Sequence, residues 1–295
     1  MNFDFDIPQI PQNVELCKRG KLDTGTFCNY NCVFCYYKND LQNKIHYNII
    51  LDRIKMLESL RCKDFDLSGG EPSILPEFFD ILEHLNAKGY KVSCVTNGFN
   101  FAKYEFTQKA QELGLNEILF SLHSGDPQTH DFITGVKNSY KRITQAIRNA
   151  NQLGIKVRIN STIIEQNADL NGFEETLKNF DISQINFLPV NNFAQTQHQK
   201  TPDLGALSKF AGAAKCETNI RYIPFCWMPE HHNKIKNYYQ HIFDTKDWNI
   251  AWYEYLPDTY ENLNRIIKEN RKIYYFKKME CLKCPYNLIC DGFKI

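Results

Sequence analysis

The sequence predicts an α/β fold, a partial (β/α)6 TIM-like barrel followed by a small Cys-rich C-terminal domain. Three observations carry that expectation. Short apolar runs alternate with longer amphipathic ones from about residue 21 to residue 190, glycines punctuate the handovers, and the cysteines gather in two clusters. A chain of 295 residues suits one large α/β domain with an appendage.

Six runs rich in β-branched and aromatic residues are the expected strands: KLDTGTF (21–27), DFDLS (64–68), KVSCVT (91–96), EILFSL (117–122), KVRINSTI (156–163) and QINFLPV (184–190). Between them, residues 47–60, 75–87, 104–113, 140–153 and 173–180 space apolar side chains by three and four, as helices covering the outside of a sheet do. Gly89, Gly114 and Gly154 stand where a left-handed helix C-cap precedes a strand. After residue 190 come the polar stretch NNFAQTQHQKTPD, a helical segment and a tail dense in Tyr, Trp, Lys and Cys. The expected division is an N-terminal segment 1–20, a barrel 21–200 and a small domain 201–295.

Hydrophobic residues at 43%, charged residues at 23% and a net charge of +1 exclude a disordered chain and a nucleic-acid-coating basic protein. No apolar run approaches the roughly twenty residues that span a bilayer, and the start, MNFDFDIPQIPQN, does not read as a signal sequence. The expected location is cytoplasmic, with no membrane or nucleic-acid partner. Eleven cysteines in such a chain point to metal or redox chemistry rather than a disulfide scaffold.

Directly after the first strand comes Cys28-Asn-Tyr-Asn-Cys32-Val-Phe-Cys35. In a parallel barrel, the loop at a strand's C-terminal end is where sites are built. Three thiolates so spaced can hold three irons of a [4Fe–4S] cube and leave the fourth open to a small molecule, whereas a closed zinc site needs a fourth ligand. A structural zinc knuckle is the alternative reading of the triplet taken alone.

Cys28, Cys32, Phe34 and Cys35 match in order the C-x3-C-x-aromatic-C motif of the radical S-adenosylmethionine (radical SAM) superfamily, which the sequence resembles over about residues 21–190. The resemblance implies that the open iron binds the amino and carboxylate groups of S-adenosylmethionine. It further implies that an electron from the reduced cluster cleaves it to methionine and a 5′-deoxyadenosyl radical, which abstracts hydrogen from a substrate. A reductant such as flavodoxin or ferredoxin is the implied partner.

The second strand ends in Ser68-Gly69-Gly70-Glu71-Pro72, similar to the family's Gly-Gly-Glu-Pro motif. There the glycines are expected to let backbone approach a ligand, and Glu71 to pair with the methionine ammonium. Thr96-Asn97 and Ser121, at the ends of strands three and four, are similar to positions lining the S-adenosylmethionine site in relatives. His123 stands where many relatives have an acid and is either a catalytic residue, as a substrate contact or proton donor, or a satisfied structural histidine. On strand five, Arg158 and Asn160 share one side. If that side is the interior, buried Arg158 needs an anion such as a methionine or substrate carboxylate. Leu188 on strand six would pack near the adenine.

Near the C-terminus stands Cys281-x2-Cys284-x5-Cys290. The spacing is similar to part of the SPASM/Twitch pattern, which implies a second, auxiliary [4Fe–4S] cluster, and a zinc ribbon is the competing interpretation. Lys294 replaces the cysteine that SPASM would place four residues after Cys290, so the fourth ligand must come from upstream, from Cys226 in preference to Cys216. An auxiliary cluster with an iron open to substrate occurs in the related enzyme of molybdenum-cofactor biosynthesis. That enzyme's C-terminal cysteines are spaced more widely, and Asp66 stands where it has a substrate-binding arginine, so its reaction is not assigned. Cys17, Cys62 and Cys94 are expected to be apolar fillers or free thiols.

The stretch from Arg265 to Lys283 concentrates Lys and Arg with Tyr274, Tyr275 and Phe276 interleaved. It reads either as a surface for a phosphorylated substrate, an acidic peptide or RNA, or as a solvated helix face. The expected function is radical SAM chemistry on a small molecule, a sugar, nucleotide or amino-acid derivative. A peptide-modifying maturase is the alternative, although only about twenty residues precede the first strand, too few for a leader-recognition domain. A non-catalytic iron–sulfur or zinc protein is the rival outside enzymology.

Overall fold

The computed structural model describes residues 19–190, 203–237, 250–252 and 260–294. Cys17, nearly all of the expected N-terminal segment and most of the polar stretch after residue 190 lie outside the described residues.

The six expected strands form, in order, the centre of one parallel sheet: β1 (Arg19–Asp23), β2 (Asp64–Ser68), β3 (Lys91–Thr96), β4 (Leu115–Phe120), β5 (Lys156–Ile163) and β6 (Gln184–Pro189). The sheet continues past residue 200. Strand β7 (Glu217–Arg221) pairs with β6, β8 (Ile235–Lys236) pairs with β7, and β9 (Ile250–Trp252) pairs with β1, each in parallel. The strand order β8-β7-β6-β5-β4-β3-β2-β1-β9 is that of a curled, open partial barrel.

Helices α1 (Tyr47–Ser59), α2 (Phe78–Ala87), α3 (Tyr104–Glu112), α5 (Ser139–Gln152) and α6 (Phe173–Leu177) fall where the apolar spacing places them. Their buried residues, Ile54, Leu57, Ile81, Leu85, Ile143 and Ile147 among them, form one core with Leu67, Val92, Ile118, Phe120, Ile159, Ile185 and Phe187 on the outer face of the strands. Gly89, Gly114 and Gly154 all take positive φ, as expected of helix C-caps. Cys62 and Cys94 are buried in this core.

Two strands start two residues earlier than the sequence suggests, and the first stops four residues early, the fourth two. The first strand was expected at 21–27, but the Asp23 carboxylate accepts the Gly25 N–H at 2.8 Å and turns the chain out of the sheet. The fourth was expected at 117–122. Leu115 follows the Gly114 cap directly into the sheet, and Ser121 already lies beyond the strand end.

One helix was not anticipated. Asp126 accepts the Thr129 N–H at 2.7 Å, Pro127 occupies the first turn and left-handed Gly135 closes α4 (Pro127–Thr134). The remaining elements are α7 (Gly205–Ala213), α8 (Tyr260–Tyr274) and a small antiparallel pair, β10 (Tyr275–Phe276) with β11 (Phe293–Lys294). Among the described residues no helix is long and apolar enough to cross a membrane.

Candidate active site at the strand ends

The chain from Gly25 to Cys35 is held by backbone bonds to three other segments. Cys28 N–H donates to Leu41 O at 3.0 Å, and Asn31 and Val33 donate to Thr134 O and Ile133 O at 3.1 and 2.9 Å. These last two are C-terminal carbonyls of α4, which lack partners inside their own helix. The third tie runs to the loop after β2: Gly70 and Glu71 N–H groups donate to Gly25 O and Phe27 O at 2.8 and 2.9 Å.

That closeness explains the glycine pair. A Cβ on Gly70 would lie 2.1 Å from Phe27 O, and one on Gly69, whose φ is +135°, 2.3 Å from Gly25 O. The glycines were expected to admit a ligand. In the structure they admit the chain itself, seating the second strand-end loop against the first just ahead of Cys28.

Glu71 is 1% exposed, and its carboxylate is met by four donors: Ser73 N–H at 3.1 Å, Ser73 Oγ at 2.6 Å, Thr96 Oγ1 at 2.7 Å and Asn97 N–H at 2.6 Å. Burial still pushes its pKa up. The carboxylate thereby fastens the loop after β2 to the loop after β3. A ligand can reach only what capacity remains on Oε2. Asn97, so fixed, directs its Nδ2 to Asn29 Oδ1 at 2.9 Å and lies 4.0 Å from Cys28 Sγ.

The three thiols are half-buried, and Tyr30 N–H points at Cys28 Sγ from 3.4 Å. Burial pushes Cys28 up to about 11 and Cys32 to about 12, and raises Cys35 as well, so a metal must displace protons to bind. Among the described residues no three Cys, His, Asp or Glu groups converge on a single-ion site. A cube that takes one thiolate per iron does not ask for that convergence.

His123 is buried, with Nδ1 accepting the Thr162 N–H at 3.1 Å, which leaves the proton on Nε2. Burial and His130 hold its pKa well below the usual imidazole value. It packs edge-on against Phe34 at 4.8 Å and 5.7 Å from His130, which accepts the His123 N–H. In this geometry His123 supports Phe34 inside the cysteine loop.

Arg158 does face the interior, 4% exposed, but its anion is internal. Glu117 on β4 pairs with it, and Gln184 accepts a bond at 3.3 Å. Asp66 is likewise engaged, by Ser93 and by Arg19 at 3.7 Å. Asn160 and Leu188 are half-buried on the inner face, and Ser121 is half-buried at the end of β4, its N–H donated to Thr96 O at 2.9 Å.

Further round the inner face, Arg221 on β7 donates to Asn186 Oδ1 at 2.6 Å, and Asn219 Nδ2 lies 3.3 Å from the same oxygen. The guanidinium fixes which way the Asn186 amide points, and its Nδ2 is buried with no acceptor among the described residues. Neither residue was singled out in the sequence. The signal available was alternation: polar residues at every second position of β5, β6 and β7.

The model of the Radical SAM superfamily matches residues 22–178. The chain belongs to this superfamily. Radical SAM enzymes take a [4Fe–4S] cluster and S-adenosylmethionine as cofactors and draw an electron from an external reductant. Two curated relatives bear the name "Probable GTP 3',8-cyclase". One, from Pyrobaculum aerophilum, is 29% identical over 52% of this chain and 49% of its own length. The other, from Saccharolobus islandicus, is 29% identical over 66% and 64%. The chain thus spans about half to two thirds of the length of these relatives. Among solved structures, Streptococcus suis SuiB bound to its precursor peptide SuiA superposes with a TM-score of 0.67 over 99% of this chain and 72% of that one, at 13% identity. SuiB bound to S-adenosylmethionine gives 0.64 over 95% and 73%, at 14%. These likenesses are of fold.

The C-terminal cysteines lie on loops at one end of the barrel's last units. Cys226 follows β7 on a short turn, exposed, near enough to Cys281 and Cys284 for their charges to raise its pKa after burial has done so. Cys290 is buried, with Gly292 N–H pointing at its sulfur from 3.3 Å and the Phe225 backbone donating to it as well. Cys216 precedes β7 at the strand's other end, beside Thr218 and Lys234.

Neither reading of the Arg265–Lys283 stretch as one exposed surface survives. Arg265 is exposed and pairs with Glu269 at 3.1 Å, but Arg271, Tyr275 and Lys277 are buried.

Proposed function

We propose that this radical SAM enzyme acts on a polar small molecule, a sugar, nucleotide or amino-acid derivative, held inside the barrel below the cysteine loop. The carrying observation is the Asn186 amide: a buried donor with no acceptor among the described residues, oriented by Arg221 on the inner face, is what a substrate oxygen would satisfy. The word GTP in the relatives' names agrees with a small-molecule substrate, while the shorter span and the acid at Asp66 leave the particular substrate open.

Cys28, Cys32 and Cys35 fit a cluster with one iron left open: three half-buried thiols on one strand-end loop, with a backbone N–H directed at Cys28 sulfur. The bound cluster and S-adenosylmethionine supply one-electron cleavage of the sulfonium, the source of the hydrogen-abstracting radical. The chain's own residues hold that site in shape. Gly69, Gly70 and Glu71 fix the loop after β2, Thr96 and Asn97 fix the next one, and Phe34, backed by His123, covers a side of the loop. Ser121, Asn160 and Leu188, all half-buried, are the proposed contacts between the loop and the interior. Flavodoxin or ferredoxin is the proposed reductant.

Cys226, Cys281, Cys284 and Cys290 are the proposed ligands of an auxiliary [4Fe–4S] cluster in a Twitch-like C-terminal domain. The nearness of Cys281 and Cys284 to Cys226 and the two backbone donors at Cys290 favour it. The test is anaerobic reconstitution, metal counting and assay for 5′-deoxyadenosine with dithionite. Roughly eight irons per chain with deoxyadenosine formed is the expected result; roughly four would remove the auxiliary cluster, and zinc without deoxyadenosine would overturn the reading.

A further inference from the structure

The largest fully buried side chain of the described residues is a cation, Arg271 on α8. Its Nε donates to Asp291 Oδ1 at 2.7 Å, and Nη1 and Nη2 donate to Leu288 O and Ile289 O at 3.3 and 3.1 Å. The planar fork thereby grips the chain on both sides of Cys290, at Leu288 and Ile289 before it and Asp291 after it. Six residues on, Lys277 is 6% exposed, and its ammonium donates to both Asn287 O and Asn287 Oδ1, the latter at 2.8 Å. Asn287 lies between Cys284 and Cys290. Two buried cations therefore hold the chain between these cysteines.

The two differ in charge bookkeeping. Arg271 is matched by Asp291, 1% exposed, in a pair that is close to neutral outside itself. Burial and the Arg271 charge lower the Lys277 pKa, while the nearby Cys290 and Cys281 sulfurs and Asp291 act in the opposite direction. Gripping a backbone carbonyl needs a donor, and a neutral side chain supplies one; a buried ammonium costs more to desolvate than an amide. An ammonium is the better choice where the thing it faces is strongly anionic. A cube with four thiolate ligands is such an object, and gains one more negative charge on reduction.

We propose that Arg271 and Lys277 are positioning residues of the auxiliary site, and that the Lys277 charge raises the reduction potential of the cluster held by Cys226, Cys281, Cys284 and Cys290. This rests on the auxiliary-cluster reading above. A zinc ion, which does not change charge, would gain nothing redox-related from the lysine.

The test uses the full chain with Cys28, Cys32 and Cys35 changed to Ala, so that any remaining cluster is the auxiliary one. Iron is counted and the midpoint potential is read by electron paramagnetic resonance during a redox titration. In that background Lys277→Met and Lys277→Gln remove the charge, the latter keeping a hydrogen-bond donor, and Lys277→Arg restores it. The expected result is retained iron in all three, a midpoint moved to more negative potential in the Met and Gln variants, and a midpoint near the parent's in Arg. Iron lost in Met and Gln but kept in Arg also supports a requirement for the charge. An unchanged midpoint in Met or Gln, or iron lost in all three, overturns the proposal. Absence of iron from the parent triple variant marks instead the failure of the auxiliary-cluster reading itself, and overturns the proposal with it.

Discussion

Replacing Glu71 by Gln tests whether the strand-end loops are fastened through a carboxylate. Oε1 accepts three bonds, from Ser73 N–H, Ser73 Oγ and Thr96 Oγ1, so the amide oxygen takes that place and the NH2 falls at Oε2. There it meets the Asn97 N–H, donor against donor, at a position now 2.6 Å away. One charge-assisted bond is lost, worth about 1.5–3 kcal/mol, and a backbone N–H is left unmet. Relief of the buried charge gives back part of this, because burial disfavours the ionised Glu71. The net expectation is a loss of about 2 kcal/mol, with Glu71→Ala costing more because all four donors are orphaned. Urea unfolding of the metal-free protein measures the stability without the complication of metal loading. Since Asn97 is displaced with its loop, S-adenosylmethionine binding to the reconstituted variant should weaken as well. A Glu71→Gln protein within about 0.5 kcal/mol of the parent would refute the fastening role.

The other expectations concern separate parts of the molecule. Gly70→Ala puts a methyl group against the Phe27 and Thr26 carbonyls and should cost about 1–3 kcal/mol while lowering iron retained at the first site; iron content at parental level would count against the loop contact. Cys226→Ala should lose auxiliary iron and Cys216→Ala should keep it, and the reverse pattern would move the fourth ligand to Cys216. His130 has its pKa lowered by burial from the usual 6.5 to about 4, so the folded state resists protonation where the unfolded chain accepts it. Its contribution to stability is complete above about pH 6.5 and is lost as the pH falls toward 4, about 2 kcal/mol by pH 5; His130→Phe should flatten that part of the stability curve, and an unaltered slope would sink the assignment.

Strand positions and the cysteine triplet were readable because each is a local pattern: β-branched runs, capped helices, fixed spacing. What the pattern hides is which partner a polar group finds. Arg158 invited an anionic ligand, yet a carboxylate on the neighbouring strand takes that place, and only the pairing of Leu119 with Arg158 brings Glu117 within reach. Helix α4 was missed because its eight residues carry too few apolar positions for a period, although Asp126-Pro127 and Gly135 mark both its ends. The Arg265–Lys283 run was judged by composition, which is blind to orientation. Ile267 and Arg271 share a helix face by their spacing of four, and both are buried.

The grip of α4 on the cysteine loop bears on the order in which the molecule is made. Asn31 and Val33 are synthesised early, but the carbonyls that receive them belong to residues about a hundred positions later. Such a contact is closed only after the intervening chain has folded. During synthesis the triplet therefore lacks its α4 contacts until four βα units have left the ribosome, and iron delivered before that moment would meet a site held only by its earlier ties.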